Sequence, residues 1–323
     1  MCCMSSLLVI GSLNADLVVR APRFPQPGET ISGEDLQVLP GGKGANQAVA
    51  AARLGAQVTM LGRVGRDNFG DFLLQTLQSN HVDSSLVQRD DASTGSAIIM
   101  VDADGQNSIV LSPGANGKVS AADVERASFW TFDLLLLQLE IPTPTVLRAA
   151  QLARQNGVRV LLNPAPARPL PGELIALADF LIPNETELSL LTGMEVRDTL
   201  SAEAAAKKLL ERGAQNIIVT LGSKGALIVD RYTTSTHVNT FEVNVVDTTA
   251  AGDAFIGGFA VKLLARRRDS LIPTNAQESA SYAKHIEEAV RYACACGALA
   301  CTKFGAQPSL PNRLEVEEFL ARH

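Results

Sequence analysis

The sequence predicts an α/β protein: a doubly wound, mostly parallel sheet flanked by helices, with a small β-sheet lid. Three observations carry this. Apolar runs recur at Leu134 to Leu139, Val158 to Leu162, Phe180 to Ile182 and Ile217 to Leu221, and strands without polar alternation are buried on both faces. Helical stretches such as Pro144 to Gln155 and Ala202 to Arg212 lie between them, which is the alternation of a parallel sheet covered by helices. Two segments, 16–39 and 95–111, carry strand signals and no helix signal.

In chain order, Leu7 to Gly11 reads as a buried strand. Segment 16–39 holds strand-like pieces at Leu17 to Arg20, Glu29 to Ile31 and Asp35 to Val38. Gly44 to Leu54 predicts a helix, with alanines and Val49 on one face and Gly55 as its stop. A strand at Val58 to Leu61 and a helix at Phe69 to Leu77 follow. Segment 95–111 reads as a hairpin, Ala97 to Val101 and Ser108 to Leu111 around an Asp104-Gly105 turn. Late in the chain an alternating β-run from Val243 ends at Asp247, and a helix starts at about Asp253. The expected organisation is one α/β domain over 1–323 with the two strand-only segments inserted as a lid. An exposed lid face bearing Ile98, Met100, Ile109 and Leu111 needs cover, so a symmetric homodimer through the lid is expected.

Composition narrows the function classes. Of 323 residues, 46% are hydrophobic and 19% charged, which excludes a disordered chain. With 28 basic and 34 acidic side chains the net charge is −6, so there is no electrostatic footprint for nucleic acid. The apolar runs fall far short of the ~20 residues of a membrane helix, and no basic segment precedes Leu7 to Ile10 as a secretory signal requires. Five cysteines, at 2, 3, 294, 296 and 301, form an odd set that argues against disulfides and for a reducing compartment. The late three do not match zinc spacing and read as small buried residues. Cys2 and Cys3 read as a frayed terminus rather than a lipidation site. Arg266 to Ser281 reads as a solvated loop. The C-terminal Ala-Arg-His lacks the leucine of a peroxisomal address, so the cytoplasm is the default location.

The chemistry concentrates at the ends of the apolar runs. No G-x-x-x-x-G-K-[ST] loop occurs and no G-x-G-x-x-G follows the first strand, which excludes a P-loop enzyme and a simple dinucleotide enzyme. In VNVVDTTAAGDAFIGG (243–258), small residues lead into a helix. Small side chains leave the N–H groups of a helix N-terminus open to an anion, and the helix dipole favours negative charge there. That suits a phosphoryl group in transfer. Asp253 beside it can take the proton of an attacking hydroxyl; the alternative is a helix cap. In Gly41-Gly42-Lys43-Gly44-Ala45-Asn46, glycines admit a ligand closely, while Lys43 and Asn46 suit phosphate and sugar hydroxyls. Asn14 and Asp16 follow the first strand at its carboxyl end, where open α/β sheets bind ligands. Glu140 ends another strand on the same edge. Asn184 and Glu187 have capping-box spacing, and Thr220 to Gly225 ends a strand with small and polar residues.

The segments GSLNADLV (11–18), PGET (27–30), GGKGANQAVAAARLGA (41–56), NPAPA (163–167), NETE (184–187), TLGSKGA (220–226), DTTAAGDAF (247–255) and GAQPSLP (305–311) resemble the ribokinase-like carbohydrate kinase family nearly end to end. The resemblance implies transfer of the γ-phosphoryl of ATP to the C5 hydroxyl of D-ribose, with Mg2+ and K+ as cofactors. Another sugar or nucleoside kinase of the family, or a non-catalytic binding regulator, is the alternative. It implies that Asn14, Asp16, Gly42, Lys43, Asn46, Glu140 and Asp253 surround ribose, that Asp253 is the base, and that Ala250, Ala251 and Gly252 form the anion hole. Many family members carry Gly in place of Ala250. ATP would meet Asn184, Thr220, Leu221, Gly222, Ser223, Lys224, Gly225, Gly252 and Asp253. Cys294 falls where relatives place His or Asn near the adenine. Asn184 and Glu187 would organise the phosphates and their magnesium, Glu187 indirectly. Asp247, the Thr249 carbonyl, Ala300, Lys303, Gly305 and Ser309 would surround potassium; the alternative pairs Asp247 with Lys303.

Overall fold

A computed structural model describes residues 6–231, 235–265 and 276–323. Cys2, Cys3 and residues 266–275 lie outside the described residues, and 276–281, read as loop from the sequence, are helical. Strand β1 (Ser6–Ile10) is followed by β2 (Asn14–Arg20) and β3 (Gln37–Gly41), and helix α1 (Lys43–Arg53) returns the chain to the core. Next come β4 (Gln57–Gly65), α2 (Asn68–Ser79), β5 (Asp83–Asp90), then the hairpin β6 (Gly95–Val101) and β7 (Asn107–Ser112), and the short α3 (Ala121–Val124). Strands and helices then alternate through β8 (Leu134–Leu137), α4 (Thr143–Gln155), β9 (Arg159–Leu162), α5 (Gly172–Leu177), β10 (Phe180–Leu181), α6 (Glu185–Thr192), α7 (Thr199–Glu211) and β11 (Asn216–Thr220). The chain continues with β12 (Ala226–Asp230), β13 (Thr236–Val238), α8 (Ala251–Leu264), α9 (Ala276–Ala300), α10 (Ala306–Ser309) and α11 (Arg313–Arg322).

The main sheet has nine strands in the order β13-β12-β11-β10-β9-β8-β1-β4-β5. Its described pairings are parallel except at β12, which runs against both neighbours. Leu7 and Val9 of β1 join a core cluster with α1, α8 and α9, while Leu8 and Ile10 join a second with α4, α5 and α7. Burial on both faces is why these strands read as apolar runs. Strands β1 and β8 are neighbours. From this pair the chain order runs outward in opposite directions, to β4 and β5 on one side and to β9, β10 and β11 on the other. That reversal opens a crevice at the carboxyl ends of the strands, where ligands bind in open α/β sheets.

Helix α8 is held close to both neighbours by lack of side chain. A Cβ on Gly257 would lie 2.6 Å from the Cβ of Ala50 in α1, and one on Gly258 would lie 2.7 Å from the Sγ of Cys296 in α9. Cys294 and Cys296 are buried among these helices, as the small-residue reading expects; burial pushes the Cys294 thiol up to about 12.

The lid is a four-stranded sheet, β3-β2-β6-β7, built from the two segments that the sequence singles out. Three expectations need correction. Glu29 to Ile31 is not a strand. The Glu29 carboxylate binds Arg23 Nη1 at 2.7 Å and the Gln26 N–H at 2.9 Å, and this local clasp holds a turn. Val243 to Asp247 is not a strand either, because the N–H groups of Val246 and Asp247 donate to the Cys301 carbonyl beyond α9 instead of to a ladder. The lid's apolar residues also divide between its faces. Asp16 pairs with Leu39 and Ala97, and Ala97 with Leu111. Directly paired residues share a face, so Leu111 and Ile109 lie on the Asp16 face. Val38, Leu17, Ile98 and Val110 form one row across the opposite face. Ile98 is 53% and Val110 63% exposed there.

Candidate active site

The N-terminus of α8 points into the crevice. Its N-cap is Ala250, with φ 61° and ψ 7°, a left-handed conformation that costs a non-glycine residue about 1–2 kcal/mol. Asp253 is the third helical residue, so it does not occupy the cap position; its side chain is 6% exposed. Its Oδ2 accepts from Asn46 Nδ2 at 2.9 Å and its Oδ1 from Gln47 Nε2 at 2.8 Å. Both donors come from α1, which the close α1–α8 contact brings alongside. Burial raises the Asp253 carboxyl above its ordinary value, against Lys43 and the two amides, which favour the ion. The N–H of Ala251 donates to the Thr248 carbonyl at 3.2 Å, and the following first-turn N–H groups have no acceptor within the helix.

The residues expected around the sugar meet at the ends of β1 and β8. Glu140 Oε2 accepts from Ser12 Oγ at 2.5 Å and from the Lys43 N–H at 3.0 Å, tying β1, β8 and α1 together. Gly42 begins α1 at φ 88°, and a Cβ there would lie 2.7 Å from the Asn14 backbone nitrogen. A Cβ on Gly41 would lie 2.0 Å from Asp16 Oδ2. Asn14 Oδ1 accepts from Asn116 Nδ2 at 2.7 Å. Asp16 is pushed up to about 7 by burial and by the charges of Glu140 and Asp253. Burial alone would lower the Lys43 ammonium, but Asp253, Glu140 and Glu187 together hold it above its ordinary value. Asn46 Oδ1 is buried and has no hydrogen-bond partner among the described residues.

A cavity of about 240 Å³ adjoins this cluster, lined by Lys43, Asn163, Ala165, Ile182, Asn184, Glu187, Thr220, Thr248, Ala250, Gly252, Asp253 and Ile256. The capping box at α6 is present: Glu187 N–H donates to Asn184 Oδ1 at 2.8 Å and Asn184 N–H to Glu187 Oε2 at 2.9 Å. Burial raises the Glu187 carboxyl. Thr220 forms a parallel bridge with Asn184. From there Leu221 turns into the core, Gly222, Ser223 and Lys224 form an exposed turn, and Gly225 takes φ 93°. Cys294 is not among the residues that line the cavity.

Behind the Ala250 turn, Asp247 Oδ1 accepts from the Thr249 N–H and Oγ1 at 2.9 and 2.6 Å, and Oδ2 from the Gly305 N–H at 2.9 Å. Burial would raise the Asp247 carboxyl, but these hydrogen bonds hold it below its ordinary value. Lys303 Nζ binds Glu315 at 2.6 Å, so the expected alternative of an Asp247–Lys303 pair is replaced by a different ion pair. Ser309 Oγ donates to the Ala306 carbonyl, and Ala300 ends α9. The site also contains Gln47, Gln138, Asn163 and Asn116, which the sequence reading assigned no role. Gln138 interrupts the apolar run at Leu134 to Leu139, and Gln47 interrupts a run of alanines. Those interruptions were the available signal.

A buried carboxylate at a helix N-terminus, a half-buried lysine and a facing set of polar groups on a doubly wound sheet suit phosphoryl transfer. Residues 4–313 match the model of the pfkB family carbohydrate kinases. The ribokinase of Haemophilus influenzae is 43% identical, covering 98% of each chain, and the deoxyribokinase of Salmonella typhi is 40% identical over the same shares. The structure of Arabidopsis thaliana ribokinase complexed with ribose and ATP superimposes with TM-score 0.87 at 35% identity, covering 98% of each chain. The chain belongs to the pfkB carbohydrate kinases, and it is an ATP-dependent carbohydrate kinase. Among its described residues no helix is long and apolar enough to cross a membrane.

Proposed function

We propose that the chain transfers the γ-phosphoryl of ATP to the C5 hydroxyl of D-ribose, giving D-ribose 5-phosphate and ADP. The observation that carries this is the Asp253 carboxylate, buried between two amide donors at the N-terminus of α8, with Lys43 beside it. Asn14, Asp16, Gly42, Lys43, Asn46 and Glu140 hold the sugar. The unpartnered Asn46 Oδ1 supplies an acceptor for one sugar hydroxyl. As the C5 oxygen attacks the γ-phosphorus, its proton passes to Asp253 and the bond to the β-phosphate oxygen breaks. Negative charge that develops on the transferring oxygens meets the N–H groups at residues 250–252 and the helix dipole. The nucleotide lies along Asn184 and the turn Thr220 to Gly225.

Two cations fit the donors present. Magnesium neutralises phosphate charge when bound; Glu187 and Asn184 are the residues placed to organise it. At Asp247 the donor set is all oxygen: one carboxylate, with the carbonyls of Thr249, Ala300, Lys303 and Gly305 and the Ser309 hydroxyl on the two segments that the Gly305–Asp247 hydrogen bond joins. Hard cations take such ligands, and a single negative charge suits potassium. We further propose one catalytic domain with its lid, a homodimer joined at the lid, and, from the unpaired described cysteines, a reducing compartment such as the cytoplasm.

The test is ADP release by purified protein with D-ribose, 2-deoxy-D-ribose, D-fructose and adenosine. The highest kcat/KM is expected for ribose. Relatives named ribokinase and deoxyribokinase are similarly close, so 2-deoxyribose is the discriminating competitor. A kcat/KM higher for any of the other three overturns the assignment.

A further inference from the structure

Three side-chain amides beside Asp253 hold neither substrate in the chemistry above, yet they form a directional chain. Gln47 and Gln138 are fully buried. Gln47 Nε2 donates to Asp253 Oδ1 at 2.8 Å and to Asn163 Oδ1 at 3.1 Å, which uses both hydrogens of the amide. Gln47 Oε1 accepts from Gln138 Nε2 at 2.6 Å. Asn163 Nδ2 donates to the Ile182 carbonyl at 2.9 Å, a group that can only accept, so the oxygen of Asn163 is the end left for Gln47.

The polarity of Gln47 is therefore set from outside. Reversing its amide would place Oε1 against two acceptors, Asp253 Oδ1 and Asn163 Oδ1, and its NH2 against the NH2 of Gln138. The sheet is shaped around this arrangement, since a Cβ on Gly11 would lie 2.0 Å from Gln138 Oε1. That Oε1 is itself buried without a partner among the described residues. Buried amides are costly unless fully satisfied, and apolar residues would pack the same space without that cost. The network serves the group at its end.

We propose that Gln47 is a positioning residue for phosphoryl transfer, with Gln138 and Asn163 fixing its amide so that an N–H is always offered to Asp253 Oδ1. This rests on Asp253 being the base. Of its two amide donors, Asn46 is shared with the sugar, whereas Gln47 lies behind the site and stays with Asp253 throughout the cycle. Its donation favours the ion over the acid and holds the carboxylate's rotation.

The test measures kcat and the ribose KM from pH 5 to 9 at saturating ATP and magnesium, in the wild type, Gln47→Met, Gln138→Met and Asp253→Asn. Methionine keeps the length and removes the N–H. Gln47→Met is expected to lose about tenfold to a hundredfold in kcat at neutral pH, the range for a hydrogen bond to a charged group, with KM little changed. The acid limb of its kcat profile is expected to move upward by about one pH unit or more, so that the defect shrinks towards pH 9. Gln138→Met, which does not touch Asp253, is expected to shift the limb in the same direction by less. A wild-type acid limb in Gln47→Met overturns the proposal even if kcat is lowered, because the residue then only packs. If Gln47→Met does not fold, a wild-type limb in Gln138→Met has the same force. Asp253→Asn separates the two levels. Wild-type turnover in that variant removes the base itself, whereas an inactive Asp253→Asn beside an unshifted Gln47→Met removes only the positioning role.

Discussion

Asp253 and Asp16 are both raised by burial, but they have different partners and different consequences. Asp253 is balanced by Lys43 and two amides, which favour its ion. Asp253→Asn keeps the shape and loses the proton acceptor, so sugar binding should persist while kcat falls ~10²–10⁴-fold, the usual contribution of a general base. Turnover near wild type in the purified variant contradicts the role. Asp16 faces two other carboxylates and is pushed up to about 7, so it gains its charge only as pH rises through neutrality. If sugar hydroxyls donate to it, kcat/KM for ribose should climb between pH 6 and 8, and a flat profile there overturns that contact. The stability sign is opposite. A carboxyl raised in the folded state contributes stability below its unfolded value near 4, and that contribution is lost as pH rises to about 7. Asp16→Asn should therefore raise the melting temperature of the sugar-free protein more at pH 8 than at pH 5. An equal change at both pH values contradicts the shift.

At the scale of elements, the lid shows how pairing register distributes a function. Strand alternation puts Asp16 on the face towards the site, and the row Val38, Leu17, Ile98 and Val110 on the other. All six residues of β7 are exposed, and a sheet with an open edge and an open apolar face invites a partner. A second copy joined through symmetry would cover both. Light scattering should give a dimer, and Ile98→Glu should shift it to monomer with the helical signal intact. A monomeric wild type, with and without ribose, contradicts the lid interface.

At the scale of the whole molecule, α1 links the Gly305 loop to Asp253. At the far end of that helix, Arg53 Nη1 donates to the carbonyls of Gln307 and Leu310, each at 2.8 Å; towards its start stand Asn46 and Gln47, which hold Asp253. The Asp247 cluster packs between the Gly305 loop and the turn that presents Ala250. A cation there would order the anion-binding turn without touching either substrate. Turnover should rise when potassium replaces sodium or tetramethylammonium at constant ionic strength, and Asp247→Ala should abolish that response. A potassium response that survives in Asp247→Ala contradicts the site.

The sequence by itself determined the strand and helix alternation, the two strand-only segments that build the lid and the residues at strand ends, because burial periodicity and loop chemistry are local properties. It pointed to one edge for Glu140 and Asn184, which follow parallel strands whose carboxyl ends face the same side, while Lys43 and Asp253 reach that edge from the first turns of α1 and α8. It misread Val243 to Asp247 as a strand, because alternation says nothing about where the N–H groups find acceptors, and these found the Cys301 carbonyl. It put Ile98, Met100, Ile109 and Leu111 on one face, because alternation within each strand leaves open how two strands register; the pairing of Leu111 with Ala97 and of Ile109 with Ile99 puts those two on the face opposite Ile98. The amides around Asp253 were decided only by the tertiary structure. Gln47, Gln138 and Asn163 come from α1 and from the ends of β8 and β9, and a hydrogen bond across 206 positions, such as Gln47 to Asp253, exists only once the glycines of α8 let the helices close on one another.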